Sequence, residues 1–238
     1  MRQIDRVGNN IKPNPRMRQI DRVNSERPYN YDATLPIDEK DIPLLKEIES
    51  REQEVIPFLY TRSAKQEEAI KILEENISHG IYCNSYMLLS SAYNQRKEYD
   101  KELEVLKKAA NFFEKENLEI PRRLLMRLQS AERSQKLEII VNNNEKGRKL
   151  EKEGDIDGAI KAYQENLDIR AHSPFCYDRL CIIYRRRKDY KSEIDVINLA
   201  IDVYTEQGFN PSAIDKLNKR LEKAKKLYEK DKAQTKLV

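Results

Sequence analysis

Three cysteines and two histidines are the side chains best suited to metal binding or nucleophilic chemistry. Cys83 lies four residues after His79, and Cys176 and Cys181 follow His172 at spacings of four and nine. A zinc site usually needs four Cys or His ligands in closely spaced pairs, and the sequence contains no C-x-x-C motif. We therefore expect three small buried thiols, with neither a metal site nor a bound cofactor.

The sequence also lacks the usual motifs of catalysis. G-x-S-x-G, G-x-x-x-x-G-K-[ST], G-x-G-x-x-G and H-E-x-x-H are not present. Only six glycines occur in 238 residues, which leaves little material for a phosphate-binding loop. With only two histidines, general acid–base catalysis has few of its usual side chains. We expect a protein that is not an enzyme.

Charge is distributed unevenly along the chain, whose formal net charge is +4. Residues 1–30 contain seven basic and three acidic side chains, and residues 216–238 contain nine and three. The ends therefore carry +4 and +6, and residues 31–215 carry −6. Basic ends favour contact with nucleic acid or an acidic protein. A lysine-rich last turn also stabilises a terminal helix through its dipole, so both interpretations stay open.

Arg185, Arg186, Arg187 and Lys188 form an uninterrupted run of four cations. Guanidinium groups suit carboxylates and phosphates, which they bind through two parallel hydrogen bonds. The run could therefore hold an acidic peptide segment. The alternative is four cations at the C-terminus of a helix, each contributing about 0.3–1 kcal/mol to its stability.

The composition indicates an intracellular chain. No stretch of about 18 apolar residues is present, so we expect no transmembrane helix. The first residues lack the apolar core of an export signal. An odd number of cysteines without such a signal favours reduced thiols, and we expect a cytoplasmic location.

The first thirty residues contain the heptapeptide MRQIDRV twice, at 1–7 and 17–23. Asn, Pro and Arg fill the space between the copies, and the apolar residues show no helical spacing. This composition predicts a disordered or extended tail. A duplicated docking motif is an alternative interpretation of the repeat.

From about residue 41 onward, apolar residues recur at helical spacings in a background of Leu, Ile, Ala, Glu and Lys. Segments of this helical region resemble one another at a fixed spacing along the sequence, which indicates a repeated structural unit. Gly154-Asp155 and Lys188-Asp189 predict breaks between paired helices, and Gly154-Asp155-Ile156 aligns with Lys188-Asp189-Tyr190 at a spacing of 34 residues. A second alignment, also without gaps, pairs two segments that have apolar or small residues at the same positions. The first segment contains Tyr86, Leu89, Ser90, Tyr93, Leu106 and Ala109. The matching residues of the second are, in order, Tyr177, Leu180, Cys181, Tyr184, Ile197 and Ala200.

These segments resemble the tetratricopeptide repeat (TPR), a unit of 34 residues that forms two helices. Copies begin at Cys83, Ile140 and Pro174, and a weak one near Ser50 contains Pro57, which predicts the end of a helix there. Departures from the family pattern occur where polar residues replace apolar or small ones, at Glu102, Asn143, Lys146, Asn166 and Glu193. Eight tyrosines fall in packing positions and are expected in the core: Tyr60, Tyr86, Tyr93, Tyr99, Tyr163, Tyr177, Tyr184 and Tyr190.

The resemblance implies an all-α fold, an α-solenoid of antiparallel helix pairs with an inserted helix in the middle and a C-terminal capping helix. Five segments follow from this interpretation. They are a basic N-terminal tail at 1–40, TPR-like repeats at 41–118, an inserted helical segment at 119–139, TPR-like repeats at 140–207, and a capping helix with a basic tail at 208–238.

In the TPR family, the first helix of each unit lines a concave groove that binds peptides. The resemblance therefore implies a non-catalytic protein- or peptide-binding adaptor. Its candidate peptide-binding residues are Asn84, Met87, Ser91, Asn94, Asn144, Arg148, Asp178, Arg179, Ile182, Arg185 and Arg186. Glu151, Lys152 and Phe175 occupy further groove positions.

The expected partner is another protein or peptide, and the arginines favour one with an acidic segment. Two alternatives remain open. The basic termini could act on nucleic acid or in regulation, and the repeats could mediate self-association.

Overall fold

The structure, a computed structural model, describes residues 35–61 and 63–235, and most of these residues are helical. Over these residues there are nine α-helices and two short 3₁₀ helices, with no β-strand. The predicted all-α class is therefore confirmed for this part of the chain. Both copies of the heptapeptide, and most of the predicted tail at 1–40, lie outside the described residues. None of the described helices combines the length and apolar character needed to cross a lipid bilayer.

The chain divides into two compact units between residues 133 and 134. The first unit contains four complete helices and the start of a fifth: α1 (Ile42–Val55), α2 (Ala64–Ser78), α3 (Ser85–Arg96), α4 (Tyr99–Lys115) and α5 (Arg122–Glu153). A 3₁₀ turn at Ile56–Phe58 follows α1, so the helix end predicted at Pro57 is confirmed. Because the helix stops there, Tyr60 lies beyond it and is 57% exposed, which contradicts its predicted place in the core.

The second unit contains the rest of α5 and four further helices, α6 (Ile156–Asp168), α7 (Pro174–Arg186), α8 (Tyr190–Glu206) and α9 (Pro211–Thr235). Helix α9 begins at Pro211 and packs against α8. It buries Leu217, Leu221 and Ala224 in the core of this unit. These residues cover the apolar face of the preceding helix.

Helix α5 differs from the sequence prediction of two helices here, one beginning at Pro121 and one at about 134–153, the second crossing the boundary between the inserted segment at 119–139 and the repeat from Ile140. The structure has one uninterrupted helix across that boundary. The physical reason is the absence of proline and glycine between residues 122 and 146, which leaves nothing to stop the helix.

The same turn recurs where the sequence predicted breaks between paired helices. Gly154 and Lys188 both adopt left-handed backbone conformations, with φ of 85° and 58°. The next residue then caps the following helix, since Asp155 accepts a hydrogen bond from Gly158 N at 2.8 Å and Asp189 accepts one from Ser192 N at 3.1 Å. Such short connections reverse the chain between packed helices, so α5–α6 and α7–α8 form helical hairpins.

Each unit has its own apolar core. In the first, Leu73, Leu89 and Leu106 are fully buried, and in the second Leu180 and Ile197 are. Of the eight tyrosines expected in the core, five are buried, namely Tyr86, Tyr93, Tyr163, Tyr177 and Tyr184. All three thiols are also buried, as expected from the sequence.

Two polar residues that depart from the repeat pattern, Asn143 and Asn166, form a hydrogen bond with each other. Asn143 on α5 donates a hydrogen bond to Asn166 Oδ1 on α6 at 3.1 Å. Asn166 is fully buried, and its Nδ2 donates in turn to the Ile140 carbonyl at 3.1 Å. A buried amide is tolerated when its polar atoms are paired. The polar pair therefore joins the two helices where the family pattern has apolar contact.

Gly147 lets the two helices of this hairpin approach closely. A Cβ atom at this position would lie 2.5 Å from Cζ of Tyr163, whose ring is fully buried on α6. Real carbon atoms do not approach this closely, so a side chain here would push the helices apart.

We predict that Gly147→Ala destabilises the protein. Alanine would by itself favour the helix by about 1 kcal/mol, but overpacking against an immobile ring costs about 1–3 kcal/mol. Urea unfolding should therefore show a lower free energy of unfolding for this variant. Glu145→Ala, at an exposed position of the same helix, is the matched control. An equal or higher stability for Gly147→Ala would contradict the close approach.

Candidate functional site

The predicted groove residues fall into both units, and each set is described by itself. The first unit holds Asn84, Met87, Ser91 and Asn94, and the second holds the remaining seven. In each unit some of these side chains make contacts that hold the helices together, some face an open depression, and a few do neither.

The second unit has an open depression between the end of α5 and the start of α7, which we call the C-terminal groove. It encloses about 550 Å³, and its lining residues are Arg148, Glu151, Lys152, Phe175 and Arg179. Two residues that the sequence predicted for the binding groove, Arg148 and Arg179, are brought together here. Three cations and one carboxylate line the groove, so its charge is positive.

An aromatic ring forms part of the floor of this groove. Phe175 packs edge-on against the buried ring of Tyr163, with ring centroids 6.0 Å apart. The guanidinium of Arg148 lies over the Phe175 ring, 5.7 Å from its centroid. Cation–π contact of this kind orients an arginine without neutralising it. Arg148 therefore keeps its charge for a ligand.

Arg179, in contrast, is neutralised within the protein. Glu151 accepts hydrogen bonds from Arg179 Nε at 2.9 Å and from the Tyr163 hydroxyl at 2.7 Å, and it also contacts Arg179 Nη2. The hydrogen bonds from Arg179 hold the pKa of the Glu151 carboxyl below its usual value. Burial and the bond to Glu151 raise the pKa of Tyr163. This cluster joins α5, α6 and α7.

Arg185 is engaged in a similar way. The Glu193 carboxylate on α8 is completely buried and accepts a hydrogen bond from Arg185 Nε at 2.9 Å. Arg220 on α9 donates to the same carboxylate at 3.3 Å and to Asp178 at 3.2 Å. Three consecutive helices thus meet at one carboxylate. Asp178 and Arg185 serve this structural cluster, although the sequence predicted both as ligand contacts.

Asn144 also has partners inside the protein. Its Nδ2 donates to Ser173 Oγ at 3.2 Å, and its Oδ1 accepts from the buried Asn166 at 3.0 Å. Ile182 is half-buried and Arg186 is exposed, and neither lines the C-terminal groove. Among the candidates in this unit, Arg148 and Arg186 are the cations that make no ion pair with a described residue.

The first unit repeats the buried carboxylate of the second. Glu102 on α4 is completely buried, accepts a hydrogen bond from Asn94 on α3 at 2.8 Å and lies 3.0 Å from Arg127 on α5. Arg127 also donates to the hydroxyl and carbonyl of Ser90 at 3.2 and 3.3 Å. Asn94 is therefore structural, and Asn84 is a half-buried residue at the start of α3.

Met87 and Ser91 do face an open depression, which we call the N-terminal pocket. It encloses about 640 Å³ between α3 and the start of α5, and its lining residues are Met87, Ser91, Arg122, Arg123, Met126, Arg127 and Ser130. The sequence analysis did not predict the five lining residues that α5 contributes. They recur at spacings of three and four, which places them on one face of the helix, and this periodicity could have predicted them.

The thiols offer no reactive site. Burial raises the pKa of Cys83 and Cys176 to about 11, and that of Cys181 to about 12. Such thiols stay protonated at neutral pH and are weak nucleophiles. Within the described residues, no group of three or more His, Cys, Asp or Glu side chains is arranged to hold a metal ion.

We predict that Glu151→Gln lowers stability at neutral pH. The folded protein favours the ionised carboxylate, so this stabilisation is complete above the ordinary pKa of about 4.5 and is lost as the pH falls through the lower folded value. The loss at pH 7 should be about 1–2 kcal/mol, since a hydrogen bond to a charged group is replaced by one to a neutral amide.

Urea unfolding of wild type and Glu151→Gln, at neutral pH and well below pH 4.5, measures this difference. The gap between the two proteins should narrow in acid. Glu145→Gln, which changes an exposed carboxylate on the same helix, should behave as wild type. A gap that is independent of pH would show that the charge of Glu151 does not contribute.

The comparisons with known proteins give no family for this chain. No protein-family profile matches the sequence, and no curated protein matches it.

Proposed function

We propose that this chain is a non-catalytic adaptor that binds a protein or peptide in the C-terminal groove, and that its hairpins stack as a TPR-like solenoid. The recurrence of the left-handed turn and its capping aspartate at Gly154-Asp155 and Lys188-Asp189 supports equivalent hairpins. The expected cytoplasmic location belongs to the same proposal, because buried unpaired thiols suit a reducing compartment.

The observation that carries the binding proposal is the Arg148–Phe175 pair in an open groove. The ring offers an apolar surface, and the guanidinium beside it offers donors to a carboxylate. Lys152 adds a second exposed cation at the same place. Because Glu151 is already neutralised by Arg179, the groove presents a positive charge to solvent.

This combination selects for one class of ligand. An extended peptide with an acidic residue next to an apolar one can place the carboxylate at Arg148 and the apolar side chain on Phe175. Arg179 acts on the ligand indirectly, since it holds the Glu151 carboxylate that lines the groove, whereas Arg185 holds Glu193 outside the groove lining. Replacing Arg179 would remove the cation that pairs with Glu151, and replacing Arg185 would leave the buried Glu193 with Arg220 alone, so neither arginine is a clean probe of binding.

The test selects displayed short random peptides against the full chain and then measures the affinity of the selected peptides by fluorescence polarisation. We expect acidic residues to be enriched. Arg148→Glu should weaken binding at least about tenfold through repulsion and the loss of a charged hydrogen bond. Phe175→Ala should weaken it by removing the apolar floor.

The matched control is Lys191→Glu, which reverses an exposed charge on α8 outside the groove. It should bind the selected peptides as wild type does. Two results would contradict the proposal: a selection that enriches no sequence, or peptides whose affinity is the same for Arg148→Glu and for the control.

A further inference from the structure

We propose that the N-terminal pocket is a second binding site, and that its occupant is a short segment of a partner protein in which acidic residues alternate with aliphatic ones. The inference goes beyond the proposed function, because it concerns other residues in the other unit. It rests on the charge, the apolar surface and the internal support of the pocket.

The charge of the pocket is unbalanced. Arg122, Arg123 and Arg127 line it, and no acidic residue does. Arg122 and Arg123 are exposed and make no ion pair with a described residue, whereas Arg51 and Arg96 in the same unit each contact two carboxylates. Carboxylates of a ligand would supply the counter-charges that the unit does not provide here.

The apolar part of the pocket is formed by two methionines. Met126 on α5 is 57% exposed, and Met87 on α3 is half-buried. Methionine is flexible and polarizable, so such a surface adapts to different aliphatic side chains. An aliphatic residue of the ligand would cover Met126 and remove its surface from water.

The pocket is also held in shape before a ligand binds. Arg127 is fixed by the buried carboxylate of Glu102 and by the hydroxyl and carbonyl of Ser90. These contacts join α5 to α3 and α4, so the two walls of the pocket are already positioned. A site formed in advance loses less conformational freedom when it binds.

The lining favours a polypeptide over a nucleic acid. Proteins that bind single-stranded nucleic acids stack the bases on aromatic rings. The lining residues of this pocket include no aromatic side chain. Its apolar surface is instead the flexible, aliphatic kind that suits side chains such as leucine.

The test measures the binding of three labelled synthetic peptides to the full chain by fluorescence polarisation. One alternates Glu with Leu, the second replaces each Glu by Gln, and the third replaces each Leu by Ser. We expect the Glu–Leu peptide to bind at least about tenfold more tightly than either of the others, because it alone has both features. Its affinity should fall as salt screens the exposed arginines.

The variant Arg122→Glu/Arg123→Glu should weaken binding of the Glu–Leu peptide at least about tenfold. The matched control, Lys71→Glu/Lys107→Glu, makes the same charge change at exposed positions of α2 and α4 outside the pocket and should bind as wild type. Both proteins change only exposed side chains, and circular dichroism with urea unfolding verifies that each is folded.

Four results would overturn the inference: no binding of the Glu–Leu peptide, equal binding of the Gln–Leu peptide, equal loss in the control variant, or displacement of the peptide by inorganic phosphate or a single-stranded oligonucleotide at low concentration.

The outcome of this test is separable from the outcome of the test of the proposed function. The Glu–Leu peptide also has the adjacent acidic and apolar residues that the C-terminal groove is proposed to bind, so its affinity is measured in a chain that carries Arg148→Glu and in the same chain with Arg122→Glu/Arg123→Glu added. A loss on adding the second pair assigns the binding to the N-terminal pocket. Selected peptides whose affinity falls with Arg148→Glu should keep their affinity for the Arg122→Glu/Arg123→Glu variant.

Discussion

A carboxylate removed from water must find cations or hydrogen-bond donors, because burying an unpaired charge costs several kcal/mol. The structure meets this constraint in the same way in both units. Glu102 and Glu193 are completely buried on the second helix of a hairpin, and each is bound by a side chain of the first helix and by an arginine of the next helix in the chain. One buried charge thus links three consecutive helices, and their relative positions depend on that contact.

This constraint also decides which polar residues are free to bind a ligand. Arg185 and Asn94 complete the buried clusters, and Arg179 is paired with Glu151. Their positions on the groove side of the helices made them candidates, yet their donors are already used. The cations left for a ligand are those that lack a nearby carboxylate, such as Arg148 beside Phe175.

The repeated spacing was sufficient to predict much of the fold. Turns at Gly154 and Lys188, a helix end at Pro57 and a terminal helix beginning at Pro211 all follow from local backbone preferences, which the residue types reveal directly. The sequence analysis divided α5 into a helix from Pro121 and a second at about 134–153, although no proline or glycine lies between residues 122 and 146 to end the first.

The sequence by itself therefore determined the helical class, the hairpins and the apolar faces, since these depend on residues close together in the chain. Only the tertiary structure decided how polar side chains pair. Asn143 and Asn166 looked like two separate defects in the repeat pattern, and the structure joins them by a hydrogen bond. Likewise, Arg122 and Arg123 face Met87 across a pocket because α5 packs beside α3. Such contacts join residues more than twenty positions apart, and spacing along the chain does not specify them.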